Sequence, residues 1–196
     1  MFITLEGIDG SGKTTQAELL SDALGPGTVL LREPGGTDAS ERIRELVADS
    51  EIELAPTAEL LLFCAARAQL VTEVIRPALE AGRDVVCDRF SDSTAAYQGA
   101  ARGVSVEVAV SVNVVATGRL RPDVTILIRI DPELAAERGL GDDRFESEGV
   151  DFQRRVADAY ERLARSDPGR IAVVDGEGCV EDVHARVLAA VEEARG

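Results

Sequence analysis

Gly7-Ile8-Asp9-Gly10-Ser11-Gly12-Lys13-Thr14 follows the spacing G-x-x-x-x-G-K-[ST], and Lys13 is the only lysine among the chain's 21 lysine and arginine residues. A chain that writes nearly every cation as arginine keeps one compact ammonium where a planar guanidinium would serve less well. Glycines in such a loop let backbone N–H groups converge on phosphate oxygens, and a following helix adds the partial positive charge of its N-terminus. Lys13 then reaches the β and γ phosphates, Thr14 offers a hydroxyl to Mg²⁺, and Thr15 completes the nucleotide-binding stretch that runs from Gly7. The chemistry indicated is the cradling of nucleotide phosphates beside a divalent ion.

The elements needed to hold this loop are legible around it. Phe2–Leu5 reads as a buried strand, and Thr14–Leu24 has helical spacing at Ala17, Leu19, Leu20, Ala23 and Leu24. Strands follow at Thr28–Leu31, Asp84–Asp88, Val124–Ile130 and Ile171–Asp175. Between them lie helices expected at Ser40–Ala48, Thr57–Ala81, Ser91–Gly99, Ser105–Thr117, Pro132–Arg138, Phe152–Ser166 and Val180–Ala194, with a polar loop over Gly139–Val150. This alternation predicts an α/β fold: a parallel sheet of five strands between two helical layers, with ligands beyond the carboxyl ends of the strands. The unusual polar residues fall there: the glycine loop, Arg32-Glu33-Pro34, Asp88-Arg89 and Asp131-Pro132.

Composition narrows the options. With 196 residues, 45% of them hydrophobic, and no linker, repeat or low-complexity tract, one domain is expected. No basic leader and no uninterrupted apolar run of membrane-spanning length is present, so the expectation is a soluble, cytoplasmic protein. Cys64, Cys87 and Cys179 have neither disulfide nor zinc spacing and are expected to be buried thiols. A net charge of −15 repels anionic partners at long range, which argues against nucleic acid and requires a local cluster of cations to hold a nucleotide. His184, the sole histidine, sits in the terminal helix without a partner that would activate it.

Leu31-Arg32-Glu33-Pro34-Gly35-Gly36-Thr37, Phe63-Cys64-Ala65-Ala66-Arg67-Ala68-Gln69 and Asp88-Arg89-Phe90-Ser91-Asp92-Ser93-Thr94-Ala95-Ala96-Tyr97-Gln98-Gly99 resemble thymidylate kinases, as do the phosphate loop and Arg121-Pro122-Asp123, all in the family's order. The resemblance implies a P-loop kinase fold, transfer of the γ-phosphoryl of ATP to dTMP with Mg²⁺, a short lid at 139–150 and a homodimer. It implies that Arg89 grips the acceptor phosphate with Arg44 nearby, that Asp88 sits beside the metal, and that Asp9 faces the sugar 3′-hydroxyl with Glu33 ordering the same region. It also implies that Phe63 lies against the thymine ring, Arg67 and Gln98 bond its edge, and Ser93, Thr94 and Tyr97 line the pocket. Adenine would rest on backbone near Val174-Asp175-Gly176.

A dianionic phosphate acceptor needs no general base, which suits a kinase without a catalytic histidine. The loop itself carries no arginine, so the resemblance implies a transition-state cation from the lid, where Arg138 and Arg144 are the candidates. Arg129, in a strand position that usually holds a small acidic or amide residue, is a further candidate, set against the simpler expectation of a surface ion pair. Rival readings are a P-loop kinase for another nucleoside monophosphate or a deoxynucleoside, a regulatory GTP-binding switch, and a nucleic-acid module. The GTP-binding reading lacks a lysine for an [NT]-K-x-D motif, and the acidic balance disfavours the nucleic-acid module.

Overall fold

The computed structural model of the chain describes residues 1–138 and 149–196. The expected lid, including Arg144, therefore lies almost wholly outside the described residues. Strands β1 (Phe2–Glu6), β2 (Val29–Arg32), β3 (Val85–Asp88), β4 (Val124–Arg129) and β5 (Ile171–Asp175) form one five-stranded parallel sheet in the order β2-β3-β1-β4-β5. The chain winds from β1 to one side and then crosses to the other, so the winding reverses at β1, whose carboxyl end feeds the glycine loop. Such a reversal opens a crevice at the strand ends.

The helices are α1 (Lys13–Leu24), α2 (Asp38–Ala48), α3 (Pro56–Leu70), α4 (Arg76–Glu80), α5 (Ser91–Thr94), α6 (Val106–Thr117), α7 (Pro132–Glu137), α8 (Val150–Ser166) and α9 (Val180–Arg195). Strand alternation sends Ile3, Leu5, Val86, Ile126 and Ile128 to one face, where they pack on Ala17 and Leu20 of α1 and Val183, Val187 and Val191 of α9. Phe2, Val85 and Cys87 face the other side, against Leu70, Val71, Ile75 and Ala78. Farther along that face, Leu127 and Ile171 meet Phe152, Val156 and Tyr160 of α8. Burial on both faces explains why the strands read as continuous apolar runs.

Two helices expected to be uniform are not. The Thr57–Ala81 run is α3, a π turn at Val71–Ile75, and α4. The turn widens just ahead of Pro77, which has no N–H to donate and whose ring would crowd the carbonyl one turn back. The Ser91–Gly99 run is α5 followed by a π turn at Ala95–Ala101, which brings the sequence neighbours Tyr97 and Gln98 onto one cavity wall. Expectation also differs for the thiols: Cys64 and Cys87 are buried, but Cys179 is exposed at the N-cap of α9.

Candidate active site

A cavity of about 920 Å³ opens at the carboxyl ends of the strands, near the upper end for a single small-molecule site. The glycine loop borders it from Asp9 through Gln16. Gly10 lies at φ 75°, and a Cβ there would come within 2.5 Å of the Ala135 carbonyl oxygen, so this position excludes any side chain. The N-cap of α1 is Gly12, with no side chain capping the first turn. The leading N–H groups of α1 are thereby left for an anionic ligand. Gly7 and Ile8 do not border the cavity, and the Ile8 carbonyl accepts from Lys13 Nζ at 3.0 Å.

Lys13 is buried, its ammonium 3.7 Å from Asp9. Burial, and then the nearby Arg89, pull its pKa below the ordinary lysine value. Asp9 responds in the opposite direction: burial alone would raise its carboxyl, but Arg89 and Lys13 outweigh burial and hold it at about 2. Tyr97 donates to Asp9 at 3.0 Å, and Gln153 of α8 clamps it from both sides, donating to its carboxylate at 2.8 Å and accepting its backbone N–H at 3.3 Å.

Parallel register places Asp88 beside Leu5, and beside Arg32 on the other neighbouring strand. From there Asp88 Oδ2 accepts from the Thr14 hydroxyl at 2.5 Å, while buried Asp88 Oδ1 has no hydrogen-bond partner. A hydroxyl and a carboxylate with a spare oxygen form a hard-oxygen pair that fits Mg²⁺, which takes few protein ligands and several from phosphate and water. Among the described residues no group of three or more His, Cys, Asp or Glu side chains is placed to enclose a metal, so phosphate oxygens and water would complete the shell.

Arg89 occupies the left-handed region at φ 69°, a strained setting for a side chain of its size. Glu6, at the end of β1, holds that loop in place. Its Oε1 accepts from the backbone N–H of Phe90 at 2.8 Å and of Ser93 at 3.2 Å, and its Oε2 accepts from Ser93 Oγ at 2.5 Å and Tyr160 Oη at 2.7 Å. Burial, then the charge of Asp92, push Glu6 up to about 7. The Arg89 guanidinium pairs with Asp9 and lies 5.1 Å from the centre of the Tyr97 ring, at the cavity wall.

Toward β2 and β3 the cavity is bordered by Glu33, Arg44, Phe63, Ser93, Thr94, Tyr97 and Gln98. Arg67 is not part of that wall. It is 1% exposed, and its guanidinium donates to Glu33 at 2.8 Å, Thr94 at 2.8 Å, Asn113 at 2.5 Å and the Phe90 carbonyl at 3.0 Å. The guanidinium is also ion-paired with Glu33 at 2.6 Å. Arg67, expected at the base edge, does not border the cavity itself; it braces Glu33 and Thr94, which do.

At the opposite end Gly176, Gly178, Cys179 and Val180 border the cavity, and Arg138 reaches across to the Gly176 carbonyl at 3.2 Å. Of the Val174-Asp175-Gly176 stretch whose backbone was expected near adenine, Gly176 borders the cavity, while the Val174 side chain packs in the core. Arg129 is directed away: it is more than half exposed and faces Glu161 at 3.9 Å, outside the cavity wall. His184 shares a hydrogen bond with Gln16 at 3.1 Å, a link between α9 and α1.

A cavity with a phosphate loop at its centre and one aromatic face, Phe63, set among polar side chains at one end suits a nucleotide, and comparison with known proteins narrows it. The thymidylate kinase family model matches residues 5–187. This chain belongs to the thymidylate kinase family. Thymidylate kinases of Pelobacter propionicus and Desulfovibrio desulfuricans are 46% and 48% identical to it, over 99% and 98% of this chain and 94% and 95% of theirs. The crystal structure of thymidylate kinase from Ehrlichia chaffeensis superimposes with a TM-score of 0.80 at 35% identity, covering 97% of this chain and 98% of that one. The thymidylate kinase sheet and P-loop fold are therefore those expected from the strand and helix alternation. Gln153, Glu6 and Asn113 escaped the sequence reading, because nothing in their local spacing separates them from ordinary helix and strand polar residues.

Proposed function

We propose that the chain phosphorylates dTMP to dTDP with ATP and Mg²⁺, as one kinase domain over residues 1–196 with its lid at 139–150. The observation that carries this is the single cavity in which Lys13, the Thr14–Asp88 pair and Arg89 lie between the Phe63 and Gln98 wall and the Gly176 end. Two nucleotides would meet end to end across the phosphate loop. A phosphate oxygen of dTMP attacks the γ-phosphorus while the bond to the β–γ bridging oxygen breaks and ADP leaves. The acceptor is already largely dianionic, so the residues supply alignment and charge neutralisation rather than a base. Lys13 and the N–H groups of the loop hold the donor phosphates, and Arg89 with Arg44 the acceptor phosphate. Thr14 and Asp88 would hold Mg²⁺, which screens the charge between the two anions.

Phe63 offers the flat face for thymine, with Ser93, Thr94, Tyr97 and Gln98 around it, while Asp9 and Glu33 order the sugar side. The reading carries with it a homodimer in the cytoplasm, with no nucleic-acid or membrane partner. In support of a dimer, α3 and α6 leave Leu61, Val108, Val110, Val114 and Val115 exposed, the last at 81%. No described helix is long and apolar enough to cross a membrane.

ADP release measured with ATP, Mg²⁺ and a panel of acceptors tests the assignment. Turnover is expected to be fastest with dTMP, and preference for dCMP, AMP or a deoxynucleoside would overturn it. The position of Arg129 adds a second expectation. Because it faces Glu161 on the surface, Arg129→Ala keeps kcat within about threefold of wild type, and a larger loss in steady-state assays would return Arg129 to the mechanism.

A further inference from the structure

Behind the acceptor wall lies a carboxylate that the mechanism above does not use. Glu59 of α3 is fully buried, and burying a carboxylate is costly unless it is bonded. Its Oε1 accepts from Gln98 Nε2 at 2.8 Å and from Arg102 Nε at 3.3 Å. Gln98 is itself 2% exposed and borders the cavity. The two ends of a glutamine amide differ only in what they can bond, so the partner decides which end turns where. A carboxylate only accepts, so it holds the NH₂ of Gln98 toward α3. The carbonyl Oε1, to which no described residue donates, is left for the cavity.

We propose that Glu59 is a specificity-determining positioning residue: it locks the Gln98 amide so that an acceptor, and not a donor, meets the acceptor base. This rests on the dTMP reading above. Position 3 of thymine carries an N–H, which pairs with a carbonyl oxygen. In a cytosine-type ring position 3 is a bare nitrogen, and its lone pair would face the Gln98 oxygen. Arg102 donates to the same oxygen of Glu59, its guanidinium resting 5.1 Å from the centre of the Phe152 ring of α8, and helps anchor the carboxylate.

The test is the ratio of kcat/KM for dTMP to that for 5-methyl-dCMP, which keeps the ring and methyl group and differs only at positions 3 and 4. In Glu59→Gln the new amide donates or accepts equally well, Gln98 is free to turn over, and the ratio narrows by roughly tenfold or more. Glu59→Asp keeps an acceptor-only partner and holds the ratio near that of wild type. Gln98→Met removes the reading group and narrows the ratio even if Glu59→Gln does not fold. A ratio within twofold of wild type in folded Glu59→Gln, or in Gln98→Met, overturns the proposal. The wild-type control separates the two levels: no turnover of dTMP sinks the kinase assignment, whereas normal turnover with an unmoved ratio sinks only the role of Glu59.

Discussion

Lys13→Arg lowers kcat by roughly 10²–10³-fold while the protein stays folded. The cause is fit rather than charge. Lys13 Nζ sits in a buried site 3.0 Å from the Ile8 carbonyl and 3.7 Å from Asp9, at the mouth of a loop whose Gly10 has no room for even a methyl group. A compact ammonium fits there and still borders the cavity. A guanidinium is wider, planar and committed to fork geometry, so it either displaces the loop or leaves the site. In the role proposed for Lys13, stabilising charge that develops as the phosphoryl group moves, the loss falls mainly on kcat rather than on the KM for dTMP. Steady-state kinetics with a thermal melt check this, and a kcat within tenfold of wild type would remove Lys13 from transition-state stabilisation.

The second large effect is on stability. Arg67→Met costs about 3–5 kcal/mol, because it strands a buried charge rather than deleting a contact. Glu33 loses its cation while its other oxygen, Oε1, already lacks a partner. Thr94, Asn113 and the Phe90 carbonyl each lose a donor in the same step. For a chain of this length that corresponds to a fall in Tm of roughly 10 °C or more.

The deficit also depends on pH. Burial holds the Glu33 carboxyl above its ordinary value of 4.5 even with Arg67 beside it, and without Arg67 it rises further. A carboxyl whose folded pKa is raised contributes stability that is present below its unfolded pKa and is lost as pH climbs through the folded value. The gap in Tm between Arg67→Met and wild type is therefore smaller near pH 5 than near pH 8. Melts at the two pH values decide it, and an equal gap would show that Glu33 does not take up a proton in the variant.

The parts of this protein written in local sequence are those set by backbone geometry. Glycines at fixed spacing, a β-branched run before them and helical spacing after them specify a strand, a phosphate loop and a helix, because each depends on residues a few positions apart. Repetition of that alternation leads to the parallel sheet, and strand ends then gather Asp9, Asp88 and Arg89 at one crevice. The tertiary structure decided which way the buried polar groups point. Gln153 reaches Asp9 across 144 positions, Gln98 finds Glu59 across 39, and Arg67 closes on Glu33 across 34. No periodicity encodes such pairs, since each forms only when separate helices dock and leave a buried donor facing an acceptor. The same docking turned Arg129 to solvent, exposed Cys179 beside the cavity and buried Arg67 behind its wall. An arginine in a motif reads alike whether it will touch a ligand or support the wall behind it, and only packing separates the two.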